Sequence, residues 1–298
     1  MKPPTQALRL FSALAVLVIL ITAYFSVIRP SQLRWGATSE ELRQPMPGDG
    51  MVAHPDFLAT RAITIQGRPE EIWPWIAQMG FDRAGFYGYD LIENLGSKTG
   101  LRSRASIVSE LQQPKAGDTL PISTVAHLRF GAIQPNRYLI WQSELAPHDG
   151  AFTWAIYPVD ETHTRLVCRI RLRYHWTSGA LALDLFTEFA DHVAVPKILE
   201  GIRDRVECRA PESLAGEATE IAVWILALME LGASIVFVFV WQHWRRAWAL
   251  AVASGFLLLF ALYAHAATWI GATLGCGIAA FILLSLRQGR YCFSQVRL

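Results

Sequence analysis

The sequence predicts an α+β globular domain held at a membrane by four apolar helices, one before it and three after it. Three features predict this: unbroken apolar runs at both ends, alternating strands in the middle, and one long amphipathic stripe behind the strands. Of 298 residues, 52% are hydrophobic and 17% charged, with a mean hydropathy of +0.27, too apolar for one ordinary soluble domain.

Leu10 to Ile28 contains no charge. At ~1.5 Å rise per residue its length approaches the ~30 Å hydrocarbon core of a bilayer. Ile221 to Trp241, interrupted only by Glu230, Ala247 to Ala267, and Thr268 to Leu286 are long enough as well. Residues 1–29 are then an N-terminal anchor, 30–58 a linker, 59–209 the globular domain, 210–220 a second linker, 221–286 a three-helix membrane region and 287–298 a basic tail. The first run ends Tyr24-Phe25-Ser26-Val27-Ile28-Arg29, with no small-x-small cleavage site, so it reads as an uncleaved anchor.

Basic residues near the spans set the orientation, because Lys and Arg in short loops are retained on the cytoplasmic side. Lys2 and Arg9, then Arg245 and Arg246, then Arg287, Arg290 and Arg297 fall on one side. This places both termini inside a multi-pass protein of the cytoplasmic membrane and residues 30–218, with 23 acidic and 19 basic residues, outside. Arg29, Arg34, Arg203, Arg205 and Arg209 flank spans on the outer side and count against that orientation. No Cys-x-x-Cys occurs, and the sequence leaves open whether Cys168 and Cys208 pair.

Within the domain, Ala59 to Gln66 alternates and is β-branched, which predicts a strand. Pro69 suits a first helical turn, Glu70 and Glu71 suit its dipole, and Ile72, Trp73, Ile76 and Met79 recur at helical spacing until Gly80. A short helix follows over Tyr87 to Leu95, and Leu120 to Glu144 reads as strands. Phe152, Trp154 and Ile156 then form a hairpin with Leu166, Cys168, Ile170, Leu172 and Tyr174, whose other face carries Arg165, Arg169, Arg171 and Arg173. Beyond Gly179, a long helix carries Ala182, Phe186, Phe189, Val193, Pro196, Leu199, Ile202 and Val206 as one stripe. Pro196 is expected to kink it.

The passage from Thr60 into Pro69-Glu70-Glu71-Ile72-Trp73-Pro74-Trp75-Ile76-Ala77-Gln78-Met79-Gly80 resembles the START-like (SRPBCC, polyketide cyclase/dehydrase-like) superfamily. Arg34-Trp35-Gly36-Ala37-Thr38, Pro47-Gly48-Asp49 and Gly85-Phe86-Tyr87-Gly88-Tyr89-Asp90 resemble a membrane-associated bacterial branch of it. The resemblance implies a helix-grip fold, in which a curved antiparallel sheet wraps the C-terminal helix around an apolar cavity. Relatives bind lipids, sterols, polyketides or hormones, and a few are cyclases. The superfamily offers no universal catalytic residue to carry over.

Motifs for hydrolase, metal or P-loop chemistry are missing, so neither cofactor nor metal is expected, and no nucleic-acid partner. The Lys98-Thr99-Gly100 fragment lacks the Ser-x-x-Lys that would give it meaning. Two readings of the domain's interior stand. In one, Trp154, Phe186, Phe189 and Val193, with His192 at the rim beside Asp191, line a pocket for a hydrophobic small molecule or lipid; in the other, the apolar residues are a filled core. Arg165, Arg169, Arg171 and Arg173 either attract anionic head groups at ~1 kcal/mol each or meet acidic partners across the sheet.

In the membrane region, Glu230 and Ser254 lie at comparable depth and form a candidate polar site, read as an interhelix hydrogen bond or a proton relay. Gly271-x-x-x-Gly275-x-x-x-Ala279 is a small-residue stripe suited to packing within the bundle. The functional expectation is a non-catalytic, membrane-tethered domain that carries a hydrophobic ligand beside the lipid bilayer. A cyclase or aromatase-type enzyme using Asp90, Glu93, His127 or His175 is the alternative, and a membrane sensor or assembly subunit is a third.

Overall fold

In the computed structural model, residues 6–143, 149–210, 212–240, 243–263 and 273–280 are described. The helices are α1 (Gln6–Ala23), α2 (Arg29–Gln32), α3 (Pro69–Gln78), α4 (Asp90–Glu93), α5 (Ser178–Val206), α6 (Leu214–Val240) and α7 (Trp244–Tyr263). The strands are β1 (Phe57–Gln66), β2 (Thr119–Pro121), β3 (His127–Gln134), β4 (Tyr138–Gln142), β5 (Gly150–Pro158) and β6 (His163–Leu172). The chain divides into two units, residues 31–217 and residues 1–30 together with 218–298.

In the globular unit the six strands form one antiparallel sheet in the order β1-β6-β5-β4-β3-β2. One face of β1 presents Phe57, Ala59, Arg61, Ile63 and Ile65, all buried, because successive side chains of a strand point to opposite faces. Val195, Ile198, Leu199 and Ile202 of α5 join the same core, as do Ile72, Trp73, Trp75 and Ile76 of α3. The start of α3 is as the sequence predicts. Pro69 occupies its first turn, and the Arg68 backbone N–H donates to Glu71 Oε2 at 2.7 Å. The second predicted helix shrinks to the single turn of α4.

The segment expected to be a linker, 30–58, is instead packed onto the sheet, from residue 31 onward within the globular unit. Carbonyls of Leu33 and Trp35 accept the Thr60 and Ala62 N–H groups at 2.8 and 3.0 Å, covering the outer edge of β1. Gly36, at φ +67°, makes this approach possible, since a Cβ there would meet the Ala62 carbonyl oxygen at 2.0 Å. The same segment explains three of the four arginines in the row. Arg165 pairs with Glu41 at 2.8 Å, Arg169 with Asp49 at 2.9 Å, and Arg171 with Asp49 at 3.3 Å. The acidic partners come from this covering segment and not from neighbouring strands. Composition hid its role, because Pro47, Gly48, Asp49 and Gly50 read as a loop.

In the other unit, three stretches among the described residues are long and apolar enough to cross a membrane: Gln6–Gln32, Leu214–Val240 and Trp244–Tyr263. The expected fourth, 268–286, lies mostly outside the described residues, of which 273–280 is helical. Gly271 also lies outside them. Trp248 Nε1–H donates to the Ser12 carbonyl at 3.0 Å, tying α7 to α1, and Trp224 Nε1–H to the Ala261 carbonyl at 3.1 Å, tying α6 to α7. Glu230 and Ser254 are both buried, but the hydrogen bond expected between them is not formed, and the two helices are fastened by Trp224 instead.

Candidate functional site

Register places Arg61 of β1 opposite Cys168 of β6, Cys168 opposite Trp154 of β5, and Trp154 opposite Leu139 of β4. Directly opposed residues share a face, so these four form one row across the concave side. At about 4.8 Å per strand, Arg61 and Trp154 are about 10 Å apart at the backbone. All four are buried, and Trp141, one step along β4, brings its ring centroid to 5.3 Å from that of Trp154.

Over this row, α5 lays a polar face. Asp191 Oδ2 comes within 2.7 Å of Arg61 Nη2, with both side chains out of solvent. His192, fully buried, rests its ring 5.6 Å from that of Phe57 and donates from Nδ1 to the Glu188 carbonyl at 2.5 Å. The Glu188 carboxylate accepts the Tyr174 hydroxyl. Burial holds His192 below its usual pKa, which keeps the imidazole neutral, and pushes the Cys168 thiol up, which keeps it protonated. A six-stranded antiparallel sheet with β1 beside β6, and the last long helix of the domain laid across its concave side, settles the architecture. The globular unit has a helix-grip fold.

No family model matches the chain, and no curated protein matches it either. Among solved structures, it is similar to protein MLL2253 of Mesorhizobium loti, at 14% identity and a TM-score of 0.31, over 52% of this chain and 99% of that one. A Polyketide_cyc-like protein of Corynebacterium glutamicum matches at 14% identity and a TM-score of 0.33, over 50% and 91%. CalC, a self-sacrificing resistance protein of Micromonospora echinospora, matches at 11% identity and a TM-score of 0.32, over 53% and 99%.

Inside the grip, buried polar atoms without a hydrogen-bond partner include Arg61 Nη1, Asp191 Oδ1, Trp141 Nε1 and Trp154 Nε1. The Arg61–Asp191 contact is close in distance but bent, so even its touching atoms make no aligned hydrogen bond. A buried polar group left unsatisfied costs ~1–3 kcal/mol. Three donors and one acceptor on an otherwise apolar concave face therefore favour a polar group that the protein does not itself supply.

Of the residues predicted to line the grip, the helix grip buries Trp154, Val193 and His192. Phe186 and Phe189 it leaves 63% and 39% exposed. The buried positions of α5 are Glu188, Asp191, His192, Val193, Val195, Pro196, Ile198, Leu199 and Ile202, so of the expected stripe Val193 lies inside while Ala182, Phe186 and Phe189 stay at the surface. The cause is electrostatic: Arg61 draws Asp191 inward, and the Tyr174–Glu188 bond fixes the turn before it. Past Pro196, through which α5 runs unbroken, expectation and structure agree at Leu199 and Ile202. Sequence reasoning missed Arg61, whose inward parity between Ala59 and Ile63 was a legible signal; it placed Tyr174 on the apolar face of the hairpin without a partner, and Glu188 carried no signal.

The four candidate acids and bases do not converge on the concave row. His127 is exposed on β3, and His175 is exposed between Asp149 and Asp184. Asp90 is buried on α4, accepting from the Ser103 N–H and from Asn94 Nδ2, each at 3.0 Å. Burial raises Glu93 to about 8, with a backbone bond from Gly88 at 3.2 Å opposing the shift. Asp90 instead borders a cavity of about 460 Å³ at the carboxy-terminal end of α5, where Arg102, Arg104, Arg205 and Glu212 also line the wall. A smaller one of about 90 Å³ adjoins it, and neither includes a residue of the concave row. Cys168 and Cys208 are both free thiols.

Proposed function

We propose that the globular unit binds a hydrophobic small molecule or lipid inside the helix grip and holds it at a membrane surface, without covalent chemistry. One observation carries this reading: the unsatisfied Arg61, Trp141, Trp154 and Asp191 atoms on the concave face. An apolar interior with a few convergent polar groups is the usual form of such a site. The entrance is the amino-terminal half of α5, where Leu183, Phe186 and Phe189 are exposed, with Trp176 just before it. Its carboxy-terminal half is clamped, since a Cβ at Gly201 would meet the Tyr87 carbonyl oxygen at 1.9 Å. Entry then requires residues 178–192 to move while 197–206 stay. In this reading the apolar spans tether the unit, and the basic residues at their ends support an outer-side position at the cytoplasmic membrane.

Mass spectrometry of organic extracts from detergent-purified full-length protein tests the proposal. A hydrophobic species present near one per chain, and reduced in Trp154→Ala, is the expected result. Extracts indistinguishable from the detergent blank sink it.

A cyclase-type alternative is favoured by one feature, the neutral His192. Its Nδ1 proton is committed to a carbonyl, leaving Nε2 as the basic nitrogen inside the grip. The same extraction on His192→Gln separates the two readings. An enzyme would accumulate an unconverted precursor that differs from the product in mass or, if ring closure loses no water, in chromatographic retention, whereas a carrier would hold the same molecule.

A further inference from the structure

The larger cavity belongs to no part of the helix grip, and its charges are unevenly committed. Arg205, in the last turn of α5, donates from Nε to the Arg104 carbonyl at 3.1 Å and from Nη1 to the Gly201 carbonyl at 2.9 Å. Its guanidinium lies over the Tyr87 ring at 4.4 Å. These contacts fix the plane of the group and leave Nη2 uncommitted. Arg102 and Arg104 reach the same cavity from the facing loop, and both are exposed. Among the described residues, no carboxylate pairs with any of the three.

The two acids on the wall have partners of their own. Asp90 is occupied by Ser103 and Asn94, and Glu212 is paired with Lys197 at 2.7 Å. In the smaller adjoining cavity, which Glu200 also lines, Asp204 is bonded to Arg203 at 3.0 Å and Glu217 accepts the Leu91 N–H at 3.1 Å; both carboxylates, with Asp90, also attract Arg205. Arg102, Arg104 and Arg205 therefore outnumber Asp90 and Glu212 on the wall of a space of about 460 Å³. Planar guanidinium forks match phosphate oxygens in geometry as well as charge.

We propose that this cavity binds a phosphate-bearing anion. Glu212 precedes the first residue of the apolar helix α6, Leu214, by two positions in the chain, so a lipid head group is the source tested first. Free phosphorylated solutes share the same chemistry.

The test uses the full chain in detergent, titrated with dioctanoyl phosphatidic acid, dioctanoyl phosphatidylcholine and inorganic phosphate. Phosphatidic acid is expected to bind, and the double variant Arg102→Gln/Arg104→Gln to weaken it by about tenfold or more. Both side chains are exposed, so that variant folds. Arg205→Lys, which keeps the charge and loses the fork, is expected to weaken binding as well. Phosphatidic acid binding much tighter than inorganic phosphate assigns the site to a lipid head group, and equal binding assigns it to a free solute. Unchanged affinity in the double variant, or phosphatidylcholine binding as well as phosphatidic acid, overturns the proposal.

Discussion

Arg61 on β1 and Asp191 on α5 meet at 2.7 Å with both side chains buried, so the long helix is tied to the concave sheet by charge as well as by packing. Removing one partner leaves the other charged and dry. Arg61→Met is expected to destabilise the full chain by about 3–5 kcal/mol, and Arg61→Met/Asp191→Leu to recover most of that loss. Chemical unfolding of both variants in detergent, followed by circular dichroism, measures the difference. A single variant as stable as the parent would show that the pair does not hold α5.

Asp49 serves Arg169 and Arg171 together from the segment that covers the outer face. Arg169 is only 4% exposed, so Asp49→Ala is expected to lower stability by about 2 kcal/mol or more. Limited proteolysis should cut residues 40–53 faster in this variant. Unchanged cleavage would mean the segment is dispensable cover.

Much of the fold was legible. The β1 alternation, the Pro69 start of α3 and the hairpin of β5 with β6 all follow from local periodicity, which a single strand or helix carries within itself. The two errors share a cause. Residues 31–56 form little regular structure, and their role depends on Arg165, Arg169 and Arg171 more than 100 positions away. The amino-terminal half of α5 shows an apolar stripe that the structure turns outward, because Arg61 sits at an inward strand position and requires an acid facing it. A charged residue in an inward register was the readable warning in both the strand and the helix.

Phe186 and Phe189 carry that reversal into a testable form. As core residues, truncating each would cost about 3–5 kcal/mol. Exposed as they are, Phe186→Ser/Phe189→Ser is expected to change stability by only about 1 kcal/mol or less. Ligand loading, measured from organic extracts, should fall severalfold, since the proposed entrance loses its apolar lip. A large drop in melting temperature would return these rings to the interior.

Glu93 gives the globular unit a pH dependence of definite sign. Burial raises its carboxyl from 4.5 to about 8, so across that window the folded chain keeps a proton that the unfolded chain releases. Its contribution is fully present below about 4.5, declines as pH rises, and is gone above about 8. Glu93→Gln removes the titration and is expected to flatten that decline. Denaturant midpoints at pH 5, 6.5 and 8 compare the two proteins, and parallel slopes would place the ionisation elsewhere.

Ligand entry beneath α5 is tested most directly by photolabelling the full-length protein with a long-chain alcohol bearing a diazirine, followed by peptide mapping. Adducts are expected on the peptides that contain Trp141, Trp154 or His192, and unlabelled alcohol should compete them away. Labelling confined to the apolar helices, with none on the concave strands or the facing turns of α5, would contradict the helix grip as a ligand site.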